Sequence, residues 1–92
     1  MSKYESVFVF SVAAGEEKAA ELNEKFKALI EANGTLESVD EWGKRRLAYL
    51  INDEAEGFYV LYSFESDAQF PAELDRIAKI TDGVLRTLII KK

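Results

Sequence analysis

The sequence contains no cysteine and no histidine, and it has a single proline and a single tryptophan among its 92 residues. Without cysteine the chain has no disulfide framework and no thiolate nucleophile, a composition that suits a reducing compartment. Without histidine it lacks the side chain that most often acts as a general base near neutral pH. The common ligands of zinc and copper are missing for the same reason.

Phosphate-binding and calcium-binding loops are also missing from the sequence. The five glycines are isolated from one another, so no glycine-rich phosphate loop is formed, and there is no Asp-x-Asp-x-Asp-Gly calcium loop. These absences count against an enzyme without excluding one, and sites for magnesium or calcium built only from carboxylates stay open. We expect no cofactor, no metal and no small-molecule substrate.

What remains is the composition of a globular protein, with 48% hydrophobic and 32% charged residues. The length suits one domain, which we place at residues 1–92. The apolar stretch near the N-terminus is too short and too interrupted for a signal peptide or a membrane-spanning helix. We expect a cytoplasmic protein without membrane contact.

Hydrophobic periodicity predicts six structural elements along the chain. They are a strand at 3–12, a helix at 16–33, strands at 35–51 and 58–64, a helix at 71–80 and a strand at 84–90. Asn33-Gly34 predicts a left-handed helix stop, and Gly43 predicts a bulge or bend within the second strand. This element order predicts an α+β, ferredoxin-like βαββαβ fold, with a four-stranded antiparallel sheet of order 4-1-3-2 and two helices on one face.

The central strands of this predicted sheet are apolar on both faces. One set of alternating residues would face the helices, namely Phe8, Phe10, Val60, Tyr62 and Phe64. The opposite set would face water, namely Val7, Val9, Tyr59, Leu61, Leu88 and Ile90. Because these six side chains lie on neighbouring strands, we predict that they form a contiguous surface for a protein partner.

Charge is distributed unevenly, although the net charge is −5. The first helix is rich in glutamate, whereas seven of the twelve basic residues lie on or beside strands. The run Lys44-Arg45-Arg46 follows the predicted bend at Gly43, and arginine can grip phosphate with two parallel hydrogen bonds. The run fits RNA contact, and it also fits a solvated edge strand whose charge is balanced by Asp40 and Glu41.

Three aromatic residues near this basic run, Tyr4, Trp42 and Tyr49, have two possible roles. Aromatic side chains can stack on unpaired RNA bases. Aromatic residues are also highly buried on average, so we favour packing in the core for each of the three.

Four segments resemble one known family. They are Lys3-Tyr4-Glu5, the stretch 42–49 (WGKRRLAY), Glu56-Gly57-Phe58-Tyr59 and the run that begins Asp82-Gly83-Val84-Leu85-Arg86. In this order the segments resemble the S-six family of bacterial small-subunit ribosomal proteins. The resemblance implies a non-catalytic structural constituent of the ribosome that binds a small-subunit rRNA junction together with ribosomal protein eighteen.

The resemblance also indicates which residues reach RNA. Arg45, Arg46, Arg86 and Lys3 match positions that imply RNA contact, and Lys44 is added at a position that looks permissive. The resemblance does not indicate which face of the sheet meets protein eighteen. We assign the six-residue apolar surface to that partner because it is contiguous.

Two other functions are possible on the same fold. An amino-acid-sensing regulatory module would use the apolar face to dimerise, but it would leave the basic run unexplained. An acylphosphatase-like enzyme needs an arginine in the loop after the first strand, and residues 11–15 contain none. A shared fold does not supply a missing site.

Overall fold

Two helices pack against one face of a four-stranded antiparallel sheet. The computed structural model describes the backbone of residues 2–13, 15–51 and 54–92, and the side chains of those residues except 48–51 and 54. The elements are β1 (Ser2–Ser11), α1 (Glu16–Asn33), β2 (Gly34–Ile51), β3 (Glu54–Ser66), α2 (Phe70–Ile80) and β4 (Val84–Lys91). The sheet order is β2-β3-β1-β4, which confirms the predicted ferredoxin-like fold.

The core lies between the sheet and the two helices. All five side chains predicted to face the helices are fully buried, namely Phe8, Phe10, Val60, Tyr62 and Phe64. From α1, Phe26 packs its ring 4.8 Å from that of Phe8, and from α2, Leu74 joins the same cluster. Apolar side chains at spacings of three and four on each helix therefore meet one face of the sheet.

A buried polar contact ties α1 to the sheet within this core. The Tyr62 hydroxyl donates a hydrogen bond of 2.6 Å to the Asn23 side-chain oxygen. Burial raises the pKa of the Tyr62 phenol well above its ordinary value, and the carboxylates of Glu41 and Glu24 raise this pKa further. The tyrosine consequently stays neutral and keeps its proton as a donor.

Gly34 joins α1 to β2 in a way that the sequence prediction misjudged. Its φ of −175° is extended backbone, so the predicted left-handed helix stop is wrong. A Cβ atom at this position would lie 2.3 Å from the Glu65 carbonyl oxygen. Glycine is needed here because two strands approach closely, and not because the backbone turns to positive φ.

The start of α2 and the length of β3 also differ from the prediction. The helix begins at Phe70, one residue before Pro71, and the Asp67 carboxylate accepts hydrogen bonds from the backbone N–H groups of Gln69 and Phe70 at 3.0 and 2.9 Å. Strand β3 begins at Glu54, four residues before the predicted start, because β2 and β3 pair beyond the end of β1. Both differences concern element boundaries and leave the topology unchanged.

Candidate nucleic-acid and protein interface

The sheet face that points away from the helices, called here the open face, is arranged in rows across the strands. Register places Arg86, Val9, Tyr59 and Gly43 in one row and Leu88, Val7, Leu61 and Asp40 in the next. A third row consists of Ile90, Glu5, Ser63 and Ser38. All six residues of the predicted protein-partner surface therefore belong to three adjacent rows.

Apolar side chains occupy the middle of the open face. Leu88 and Ile90 on β4 are 48% and 50% exposed, and Val7, Tyr59 and Leu61 are half-buried. A shallow hollow of about 170 Å³ is lined by Val7, Val9, Tyr59, Arg86 and Leu88. Apolar surface of this kind, open to water and bordered by polar groups, is typical of a protein contact site.

Val9 departs from the expected exposure. It belongs to the open face by register, but it is only 2% exposed, so the expectation that it faces water is wrong. A Cβ atom built on Gly57 would lie 2.4 Å from a Val9 methyl carbon and 3.5 Å from a Leu47 methyl carbon. Leu47, which is also buried, thus packs beside Val9 over the glycine and shields it from water.

The basic run Lys44-Arg45-Arg46 divides between the two sides of β2. Arg45 pairs with Gly57 in the open-face register, whereas Lys44 pairs with Phe58 on the helix side. Arg46 alternates back to the side of Lys44. The Lys44 amine also lies 3.9 Å from a Glu56 carboxylate oxygen. The three basic side chains therefore cannot all bind the same phosphate from one side of the strand.

Arg45 and Arg86 lie toward the same end of the open face, on its two opposite edge strands. Arg86 lies in the row of Val9, and Arg45 lies one row nearer the β2–β3 hairpin. We call this pair the basic end of the open face. With strands about 4.8 Å apart and rows about 7 Å apart, the two residues lie about 16 Å from each other.

Lys3 lies at the other end of the sheet. It is six residues from Val9 along β1, which corresponds to about 20 Å at a rise of about 3.4 Å per residue. Its amine lies 3.3 Å from a Glu37 carboxylate oxygen. Of the five predicted RNA-binding residues, Arg45 and Arg86 therefore share one end of the open face, whereas Lys3 lies at the other.

The acidic surface of α1 is separate from these arginines. Glutamates of α1 are exposed and pair with lysines of the same helix, as in the contacts of Glu21 with Lys18 and of Glu24 with Lys27. Within the ranges that the structure describes, no carboxylate oxygen lies within 4.0 Å of the guanidinium of Arg45 or Arg46. Both arginines of β2 are exposed.

Trp42 is the functional candidate that sequence reasoning assigned to the core. It is 41% exposed, so the core prediction is wrong for this residue, whereas Tyr4 is buried as predicted. The indole stacks on Tyr59 with an interplanar angle of 14° and a centroid separation of 6.2 Å. The Tyr49 side chain lies outside the described residues.

The bulge at Gly43 determines which side of β2 each residue of the basic run occupies. Gly43 has a φ of +80°, and the register with β3 shifts between Glu41 and Gly43. One extra residue on β2 resets the alternation of side chains beyond it. Alternation alone separates Arg45 from its two neighbours, and the bulge places Arg45 on the open face.

In the parts of the chain that are described, no three carboxylate, histidine or cysteine residues are grouped closely enough to hold a metal ion. Neither of the two described helices has the length and apolar content needed to cross a membrane.

Comparisons with known proteins were made on the whole chain. Residues 3–91 match the sequence profile of the family described as ribosomal protein S6. The chain is 52% identical over 91 residues to small ribosomal subunit protein bS6 of Alkaliphilus oremlandii, covering 99% of this chain and 97% of that protein. It is 48% identical over 93 residues to bS6 of Clostridium beijerinckii, covering 100% and 98%. The crystal structure of 30S ribosomal protein S6 from Thermotoga maritima superposes with a TM-score of 0.92 at 30% identity, covering 99% of this chain and 87% of that one.

Proposed function

The chain belongs to the ribosomal protein S6 family, and from that premise we propose that it binds a junction of small-subunit rRNA together with ribosomal protein eighteen. The family is a structural, non-enzymatic component of the small ribosomal subunit. The prediction that the chain is not an enzyme, and that its role is structural within the ribosome, is therefore confirmed. The RNA site and the protein partner are the proposed part.

The observation that carries the proposal is the open face itself. Two arginines lie toward one end of the open face. Apolar side chains fill its middle and continue along the edge strand β4. Arginine forms charge-assisted, bidentate hydrogen bonds with phosphate. We assign RNA to the basic end, through Arg45 and Arg86, and protein eighteen to the apolar rows of Val7, Leu61 and Leu88.

The remaining predicted residues keep lesser roles in the proposal. Arg46 and Lys44 point to the opposite side of β2, so they reach RNA only where it wraps around that edge strand. Lys3 would contact a phosphate at the far end of the sheet, in competition with Glu37. Val9 is covered by its neighbours, so its contribution is to support Tyr59 and Leu88 rather than to contact a partner directly.

The RNA assignment is tested with a fragment of small-subunit rRNA that contains the junction, in the presence of protein eighteen. The double variant Arg45→Ala with Arg86→Ala should lower the slope of log affinity against log salt by one to two, since each lost phosphate contact removes about 0.7 to 0.9. Lys18→Ala on α1 removes one positive charge away from the site and serves as the control. An unchanged slope in the double variant would remove both arginines from the interface.

The partner assignment is tested by placing one charge in the apolar rows. Leu88→Glu should abolish pairing with protein eighteen, because the new carboxylate would be buried without a partner. Leu88 is half-exposed in the free chain, so the variant should still unfold cooperatively in urea. Ile80→Glu makes the same change at an exposed residue of α2 and should pair normally. Normal pairing by a folded Leu88→Glu variant would refute the assignment.

The amino-acid-sensing alternative has no comparable support. A hollow of about 490 Å³ between α1 and α2 is lined by charges of both signs, from Lys18, Lys25, Glu21 and Asp82. Mixed charges alone do not identify a ligand, and the comparisons point to ribosomal relatives instead.

A further inference from the structure

We propose that Trp42 stacks on one unpaired base of the bound RNA and that Arg45 holds the phosphate beside that base. This inference rests on the proposed RNA-binding function and adds a specific contact to it. Single-stranded RNA is commonly recognised by aromatic side chains that stack on bases while basic groups hold the backbone. Trp42 and Arg45 supply these two elements side by side.

The indole of Trp42 is held in a fixed plane. Its N–H donates a hydrogen bond of 2.9 Å to a carboxylate oxygen of Asp40, and its ring lies nearly parallel to that of Tyr59. Because the only polar hydrogen of the ring is already used, the exposed part of the indole offers a ring face and no hydrogen bond. A ring face is the surface on which a base stacks, and this contact does not depend on the sequence of the RNA.

Arg45 is anchored to the same residue. Its Nε donates a hydrogen bond of 3.3 Å to the Trp42 carbonyl oxygen, which holds the guanidinium beside the backbone of Trp42. The two terminal amino groups of this guanidinium remain, and no carboxylate in the described ranges lies within 4.0 Å of them. They are the donors that can hold a phosphate in a bidentate manner.

The charges beside the indole determine on which side of it the RNA backbone lies. Asp40 lies on one side of Trp42 along β2 and Arg45 lies on the other. A phosphate is repelled by the carboxylate and attracted by the guanidinium, so the backbone should run on the Arg45 side while the base covers the ring. The two requirements fit one nucleotide on one edge strand.

RNA explains this site better than the protein partner does. Trp42 does not line the apolar hollow, and Leu88 and Ile90 lie on β4 at the opposite edge of the sheet. Trp42 and the strand β4 are about 14 Å apart across three strand spacings. The indole and the apolar groups of β4 therefore lie at opposite edges of the sheet, and Arg45 lies on the same strand as the indole.

Tryptophan fluorescence measures this contact directly, since Trp42 is the only tryptophan of the chain. The probe is the junction fragment of small-subunit rRNA titrated onto the chain bound to a tryptophan-free variant of protein eighteen. Stacking should quench the fluorescence. Trp42→Ala should weaken RNA binding about 5- to 150-fold, which is the range expected for one stacked base, without changing the salt slope. Trp42→Phe keeps a ring and should recover most of the affinity.

The base is identified by removing it from the RNA. An RNA with an abasic site at the stacked nucleotide should bind the wild type more weakly, by a factor similar to that of Trp42→Ala. The Trp42→Ala variant with the abasic RNA should lose no more affinity than either change causes alone. Ile80→Ala, which trims an exposed apolar residue on α2, should bind each RNA with the same affinity as the wild type does. Additive losses at every unpaired nucleotide would overturn the stacking contact.

The remaining outcomes distinguish this inference from the proposed function. If Trp42→Ala binds RNA normally while the Arg45 and Arg86 double variant still loses salt slope, the stacking contact is wrong and the RNA site stands. If Trp42→Ala weakens pairing with protein eighteen in the absence of RNA by the same factor, the indole belongs to the protein interface. Failure of the wild type to bind the RNA would overturn both.

Discussion

The two faces of one sheet differ sharply in what they are made of and in what they stabilise. The helix face is built of aromatic rings that are fully buried, such as Phe8, Phe10 and Phe64. The open face carries aliphatic groups such as Leu88 and Ile90 that remain half-exposed, with charges at both ends. Alternating residues of the same strands therefore have different roles, since one face stabilises the fold and the other is left for partners.

The largest predicted effect concerns the buried face. Phe8→Ala should lower the free energy of unfolding by about 3 to 5 kcal/mol, because it removes a ring and leaves a cavity among Phe10, Phe26 and Tyr62. Leu88→Ala on the open face should change it by less than about 1 kcal/mol. Urea denaturation measures both. Equal losses in the two variants would mean that the open face is part of the stabilising core.

A smaller effect should appear at the one tightly packed spot of the open face. Gly57→Ala would place a methyl group 2.4 Å from a Val9 methyl carbon, and overpacking of this kind costs about 1 to 3 kcal/mol. Ser63→Ala, on the same strand and the same face, is the control and should be close to neutral. A neutral Gly57→Ala would show that Val9 and Leu47 can move apart freely.

Alkaline pH should weaken the buried face through Tyr62. Burial raises the folded-state pKa of this phenol, whereas the unfolded chain loses the proton near pH 10. The stabilisation is present in full below about pH 10 and is lost above it, by up to about 1.4 kcal/mol per pH unit.

The control for this pH dependence is Tyr62→Phe. The variant leaves the Asn23 side-chain oxygen without its donor, so at neutral pH it should be less stable by about 1 to 2 kcal/mol. Its stability should then fall less steeply above pH 10 than that of the wild type, as measured by urea denaturation at several pH values. Parallel curves would contradict a neutral, buried Tyr62.

The smallest predicted effect has the opposite sign. The Thr87 hydroxyl is buried on the helix side without a hydrogen-bond partner. Thr87→Val removes that unpaired group at nearly constant volume and should raise the free energy of unfolding by up to about 1 kcal/mol. Thr35→Val, at an exposed position of β2, should leave it unchanged. A loss of stability in Thr87→Val would indicate that the hydroxyl is bonded in solution.

Sequence pattern predicted the helix face well and the open face only in part. Period-two alternation placed Val60, Tyr62 and Phe64 correctly because it depends only on local strand geometry. The same rule placed Val9 on the correct face but misjudged its exposure, since Leu47 covers it from another strand. Exposure depends on neighbours that are distant in sequence, and alternation carries no information about them.

The candidate RNA site shows the same limit. The run of three basic residues could be read directly from the sequence, but the Gly43 bulge decides that Arg45 faces the open side while Lys44 and Arg46 face away. That Arg45 and Arg86 share one end of the open face depends on strand order as well. Trp42 was misassigned because aromatic residues are usually buried, whereas this one lies on the open side of an edge strand, directly after Glu41 in helix-side register.

The sequence by itself determined the order of the elements, the two-layer fold, the helix-facing core and the family, because periodicity and short motifs are properties of neighbouring residues. Only the tertiary structure decided which charges share a surface, that Val9 is covered and that the Trp42 indole is presented beside Arg45. Those outcomes depend on the register between strands and on a single added residue at the bulge, which act across the sheet and not along the chain.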